Sequence, residues 1–210
     1  GARVIITGRN QDKLEAAKKL LPSLIIIKSD VENPEDSKEL FEKVVSLGGI
    51  DILYNNAGVG TPMLNLGMAN EQILKNAVYE MNINYFGVIR LNTLFIDMLK
   101  SRKESAIINT TSILSIVPAL EEPTYSATKA ALSFYTKTLR KNLEILGSTV
   151  KVFELLPPVV ATEMTAQRKD KKMTPEQLVK ALITGIKKDR YTIRVGDAKL
   201  LYVVNRFFPQ

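Results

Sequence analysis

The chain contains neither histidine nor cysteine in its 210 residues. The first absence removes Ser-His-Asp hydrolysis, imidazole general bases and histidine-bound metals. The second removes disulfides, thiolate nucleophiles and Cys-type zinc sites. Acid–base chemistry is left to Asp, Glu, Lys and Tyr. No metal site is expected. A cysteine-free chain suits a cytoplasmic location. No apolar run approaches the ~18 residues of a membrane span. The opening Gly1-Ala2-Arg3-Val4-Ile5-Ile6 carries one charge and passes straight into a strand-like run, so no signal peptide is expected. Repeats and low-complexity segments are also absent.

What is present is ordinary for a globular protein: 45% hydrophobic and 24% charged residues. A chain of this length can bury roughly 70% of its unfolded surface, enough for a real core. The net charge is +7, with basic residues concentrated in Arg168-Lys169-Asp170-Lys171-Lys172 and Lys187-Lys188-Asp189-Arg190. Neither stretch interleaves aromatics. Both read as solvated surface, and no nucleic-acid partner is expected.

Strand-length apolar runs alternate with helical periodicity. Strands are expected at 4–7, 24–27, 50–54, 106–110, 150–155 and 191–195. Helices are expected at 11–21, 34–47, 71–100 with an irregular start, 125–146, 175–188 and 198–207. Continuous β-branched strands between helices indicate a parallel sheet covered on both faces, an α/β fold. No linker interrupts the pattern, so residues 1–210 read as one domain. Ligands of such sheets bind outside the carboxyl ends of the strands. The polar features fall there: Arg9, Asp30, Asn55-Asn56-Ala57-Gly58, Ser112, and Pro157 to Thr162.

Tyr125 and Lys129 stand four residues apart, on one helix face, and Ser112 lies thirteen residues before the tyrosine. A free phenol titrates near 10 and is a poor acid or base at neutral pH. A neighbouring ammonium is expected to draw it down, and a serine hydroxyl to hold a substrate oxygen against it. Taken alone, a Tyr-x-x-x-Lys pair is an exposed helix face more often than a catalytic one. The five strand ends in register with it change that balance.

With Asn84 in Asn84-Tyr85-Phe86-Gly87, these residues resemble the classical short-chain dehydrogenase/reductase family over essentially the whole chain. Gly196 to Tyr202 further resembles the tail of DltE-like reductases. The resemblance implies a Rossmann-like doubly wound parallel sheet and hydride transfer between NAD(P) and a carbonyl or alcohol substrate. It implies Tyr125 as general acid/base, Lys129 as its electrostatic partner and ribose ligand, Ser112 on the substrate carbonyl, and Asn84 behind a proton relay. Asn82 is the alternative to Asn84. Asn56, Ala57 and Gly58 would line the adenosine and pyrophosphate side. Asp30 would meet the adenine or simply cap a helix, with Val31 beside it. Pro157, Val160 and Thr162 would sit near the nicotinamide. Arg9, where NAD-specific sites carry an acid, favours NADP over NAD by pairing with a 2′-phosphate.

Two departures qualify the likeness. The family's Pro-Gly is here Pro157-Pro158, which loses a backbone donor. The family's opening strand and Thr-Gly-x-x-x-Gly-x-Gly turn are not found, so roughly 30 residues, about one strand–helix unit, are expected to be missing. That strand belongs between those at Val4 and Ile50, and its absence predicts a gap in the sheet and weak cofactor binding. The chain then reads as an N-terminally truncated enzyme, with a non-catalytic sensor or scaffold as the alternative. Residues 161–173 read as a substrate lid. Leu64, Leu66 and Met68 fit a pocket or the core. Leu91, Leu94, Phe95, Met98, Leu132, Phe134 and Tyr135 fit a core or a homodimer or homotetramer interface. The last helix packs on protein rather than on a membrane.

Overall fold

Short β-branched runs form the strands of the computed structural model, which describes residues 1–62 and 64–208. They are β1 (Ile5–Gly8), β2 (Ile25–Lys28), β3 (Ile52–Asn55), β4 (Ala106–Thr110), β5 (Lys151–Leu156) and β6 (Thr192–Arg194). Between them run α1 (Gln11–Leu20), α2 (Pro34–Ser46), α3 (Gln72–Met81), α4 (Gly87–Lys100), α5 (Pro123–Ile145), α6 (Pro175–Lys187) and α7 (Ala198–Phe207).

Side-chain caps fix three of the seven α-helix starts among the described residues. The Asn10 side chain accepts the Lys13 amide at 3.0 Å, and Asn33 accepts the Glu35 amide at 2.9 Å. Thr174 and Gln177 form a reciprocal capping box at α6. The expected helix from Tyr125 begins two residues earlier, because Pro123 is suited to a first turn, where no amide is needed. The irregularity expected at the start of the 71–100 helix lies in its middle. Asn82–Phe86 forms a π turn that joins α3 to α4, with the Gly87 amide donating to the Asn82 carbonyl.

Every ladder is parallel. β1 pairs with β2, and β3-β4-β5-β6 form a second sheet in that order. Phe95, Leu99, Leu40, Val44 and Leu143 of α2, α4 and α5 pack with Leu53, Ile107 and Val152 on one face, and Ile5 and Ile27 of the smaller ladder join this core. Leu182 of α6 packs with Ile108, Phe153, Leu155 and Ile193 on the other face. Strand side chains alternate, so Gly8 faces away from Ile5 and meets Leu14 of α1. Helices therefore cover both faces, as a doubly wound sheet requires.

Among the described residues no strand joins β1 to β3. The break falls where the family resemblance puts its first strand. On the α6 side of the break, Ile52 and Tyr54 are 54% and 42% exposed, large apolar side chains with little over them. Ladder groups of β1 and β3 that face the break have no strand partner, unlike those of β4 and β5, which are paired on both sides. Amide hydrogen exchange followed by NMR checks this. Amides of Ile107, Ile108, Val152 and Phe153 should exchange at least ~100-fold more slowly than those of Ile5 and Thr7, which face the break. Equal protection would mean the break is closed in solution.

Candidate active site

The end of β4, the start of α5 and the π turn converge on one place. Lys129 is 3% exposed, and its Nζ donates to the carbonyl of Thr110, the last residue of β4, at 3.0 Å. The same ammonium lies 5.5 Å from the centre of the Tyr125 ring. Two residues after β4, Ser112 is extended; its hydroxyl accepts the Leu114 amide at 3.1 Å and lies close enough to the Tyr125 phenol to favour its ionised form.

Asn84 is fully buried in the π turn. Its amide donates to the Val59 carbonyl at 2.9 Å and to Thr128 Oγ1 at 3.1 Å, and its Oδ1 accepts the Val59 amide at 2.8 Å. Asn82 instead reaches outward to Glu32 at 3.3 Å, which leaves Asn84 as the asparagine that faces this cluster. Gly58 lies between these groups. A Cβ there would stand 3.3 Å from Asn84 Oδ1 and 3.4 Å from Lys129 Nζ, so the side-chain-free backbone forms a cradle beside the ammonium.

Burial, with Glu122 next, pushes the Tyr125 phenol up to about 12, against the opposing pull of the nearby Ser112 hydroxyl. This reverses the expectation that Lys129 draws the phenol down. Desolvation outweighs the nearby cation, and it also pushes Lys129 itself down to about 8.

The remaining expected residues lie at the other strand ends. Arg9 follows β1 and donates to the Tyr79 hydroxyl at 3.1 Å, with the charges of Asp30 and Glu32 near. Asp30 follows β2; its Oδ1 accepts the Glu32 amide, and its own amide donates to Asp36, so it shapes a local turn ahead of α2. The Val31 carbonyl accepts from Arg90 of α4 at 2.8 Å. Asn56 and Ala57 are exposed beyond β3, with Asn56 accepting from Thr110 Oγ1 at 3.3 Å. The Pro157 carbonyl accepts the Ile113 amide at 3.1 Å, tying β5 to the Ser112 turn. Val160 bridges Met173, and Thr162 starts a short 3-10 turn over Glu163–Thr165. Ser112, Tyr125, Lys129, Asn84 and Gly58 thus share one place. Arg9, Asp30 and Val31 form a second group on the β1–β2 side.

The short chain dehydrogenase family model matches residues 1–173. The chain belongs to the short chain dehydrogenase family. A Bacillus subtilis protein named uncharacterized oxidoreductase DltE is 30% identical over 200 residues, spanning 92% of this chain and 78% of that protein. A Burkholderia cenocepacia short chain dehydrogenase solved with NADP superposes with a TM-score of 0.85 at 27% identity, covering 98% of this chain and 83% of that one. A Burkholderia phymatum member solved with NAD gives a TM-score of 0.87 at 20% identity over 99% and 84% of the two chains, a likeness of fold.

Sequence reasoning missed Gly87, Arg90, Thr128 and Glu80. A Cβ on Gly87 would lie 2.6 Å from Val31 Cγ2, so its bareness lets the β2 loop close on the helix. Gly87 had a signal, because it closes the Asn-x-x-Gly quoted for the resemblance. Arg90, Thr128 and Glu80 had none, because their partners are 59, 44 and 19 residues away in the chain.

The Lys129 shift has a stability consequence. Its folded pKa of about 8 lies below its ordinary 10.5, so between these values the unfolded chain binds more protons than the folded one. Stability from this residue therefore rises with pH across that window, by on the order of 3 kcal/mol in full. Urea midpoints measured from pH 7.5 to pH 10.5, roughly that span, should rise less steeply in Lys129→Met than in the parent. A parallel pair of curves would contradict the buried ammonium.

Proposed function

We propose that the protein is an NAD(P)-dependent oxidoreductase acting on a carbonyl or alcohol, with Tyr125 carrying the proton of the substrate oxygen. The observation that carries this reading is the convergence of Ser112, Tyr125, Lys129 and Asn84 at the carboxyl end of a parallel sheet. When bound, the nicotinamide supplies the hydride chemistry, and the chain orients the reactants and manages the proton.

The residues fit such a cofactor at its ribose and nicotinamide end. The Gly58 cradle leaves room where a side chain would crowd Asn84 and sit against Lys129. Lys129 and Tyr125 would hold the ribose, with Pro157, Val160 and Thr162 beside the nicotinamide. Asn56, Ala57, Asp30 and Val31 would line the adenosine side. Arg9 would pair with a 2′-phosphate, which favours NADP. The family's glycine-rich phosphate turn is not among these 210 residues, so taken by themselves they are expected to hold the cofactor weakly.

A phenol held near 12 is protonated at neutral pH and acts as the acid that protonates a carbonyl oxygen. Ser112 would hydrogen-bond that oxygen as charge develops on it. Lys129, titrating near 8, is suited to return the proton to the phenol, and Asn84 would hold the relay behind it. Residues 161–173 would form the substrate lid. The neck of this segment is held by backbone bonds from Met173 to Val159 and from Ala161 to Met173, and Arg168 pairs with Glu122 at 2.6 Å beside Tyr125.

Phe95 and Leu132 are buried core residues, whereas Phe134 is exposed on α5 and is the side chain best suited to a homodimer or homotetramer interface. No helix among the described residues is long and apolar enough to cross a membrane. Leu200, Phe207 and Phe208 are exposed on and after α7, and we assign them to protein packing. A cysteine-free composition fits the cytoplasm. The divided sheet favours one other reading, a scaffold that keeps the fold without turnover.

Calorimetry with NADPH should give a dissociation constant weaker than micromolar. Carbonyl reduction assayed at millimolar NADPH then separates the readings, because a scaffold turns over no carbonyl. Tyr125→Phe should lower kcat by roughly 10²–10⁴-fold with little change in KM. Arg9→Ala should lower kcat/KM for NADPH about 10-fold and leave NADH nearly unchanged. Equal losses with both cofactors would remove the NADP preference.

A further inference from the structure

One buried carboxylate beside the cluster has no part in the mechanism above. Glu80 is 1% exposed on α3, one helical turn before Asn84. Its Oε1 accepts the Thr61 amide at 2.8 Å and the Thr61 hydroxyl at 2.7 Å. Among the described residues, its Oε2 is buried without a partner. A carboxylate oxygen taken out of water and left unbonded is costly, so such a group is retained against a penalty. The two residues divide the loop after β3 between them. Asn84 holds Val59 through both its amide and its carbonyl, and Glu80 holds Thr61. Between the two lies Gly60, where a Cβ would stand 3.9 Å from Cδ2 of the Tyr125 ring.

We propose that Glu80 is a positioning residue for Tyr125: it clamps the Gly60–Thr61 backbone against the phenol ring and sets a negative charge behind that clamp. The role rests on Tyr125 as the proton-transferring group. With Asn84, it makes one face of the α3–π segment the template for the loop, so that the cradle at Gly58 and the ring contact at Gly60 are fixed together. The charge acts on the phenol in the same direction as burial, keeping it protonated. The other groups that face Tyr125 are Glu122 just before α5, which acts the same way, and Ser112 after β4, Arg168 from the 161–173 segment and Lys129, which favour ionisation.

The test needs neither cofactor nor substrate, so it can fail while the oxidoreductase reading stands, and the reverse. Tyrosines are replaced biosynthetically by 3-fluorotyrosine, which brings phenol midpoints to lower pH, and are titrated by fluorine NMR. The Tyr125 signal is identified by its loss in Tyr125→Phe. Glu80→Gln keeps an oxygen for Thr61 but removes the charge, so the Tyr125 midpoint should move to lower pH while the other tyrosines stay in place. Glu80→Ala removes the clamp as well, and the Thr61 amide should exchange at least ~10-fold faster than in Glu80→Gln. An unmoved Tyr125 midpoint in the Gln variant overturns the proposal, and so does a Thr61 amide equally protected in both variants. If the Ala variant does not fold, the Gln titration decides alone.

Discussion

A single buried ammonium organises this site. Lys129 sits in the interior with its Nζ on the Thr110 carbonyl, and burial alone accounts for its perturbed titration. That bond joins α5 to the end of β4. Because α5 is a rigid helix, it also fixes Tyr125 one turn earlier, and the chain that leaves Thr110 brings Ser112 to the phenol. The ammonium in turn limits what can lie over it. Gly58 packs closely under it, where a Cβ would make a tight contact with Asn84 Oδ1, and Asn84 fills the remaining side while bonding to Thr128 on the same helix. A charge placed in this way costs folding energy at neutral pH. Its retention is a physical mark of a site, independent of any motif.

Most of the architecture was readable because it depends on local chemistry. Asn10 and Asn33 cap the helices that follow them, as their side chains predict, and β4 has its expected limits, Ala106–Thr110. The gap beside β3 was legible through the missing glycine turn. What sequence could not supply was the outcome of competition between terms. A cation next to a phenol lowers its pKa and burial raises it, and only the buried geometry decides the sign at Tyr125. Long-range partners were also hidden. Nothing in the residues around Arg90 says that its guanidinium will seek the Val31 carbonyl.

The divided sheet separates the two groups of polar residues. Arg9, Asp30 and Val31 belong to the β1–β2 ladder, while Ser112, Tyr125 and Lys129 belong to the larger sheet. Strand pairing does not hold the ladders together; side chains do. Ile5, Ile25 and Ile27 share one core with Leu40, Val44, Leu53 and Phe95. Arg9 reaches Tyr79 on α3, Arg90 reaches Val31, and Asn82 reaches Glu32. These three ties end on the α3–α4 helix; a fourth, between Lys13 of α1 and Glu163 after β5, lies at the surface. That helix therefore carries most of the polar contacts that place the two halves relative to one another.

The π turn in that helix explains how one element serves both halves. In an unbroken α-helix, positions three and four apart share a face and drift slowly around the axis. The bond from Gly87 to the carbonyl five residues back widens one turn at Asn82–Phe86 and changes the register on its far side. Before the turn, Glu80 faces the β3 loop. Within it, Asn84 faces the same loop and reaches Thr128. Beyond it, Gly87 and Arg90 face the β2 loop. A regular helix of the same sequence would rotate one set away from its target. The local defect thus lets a single helix hold the loop over the phenol and the loop beside Asp30 together.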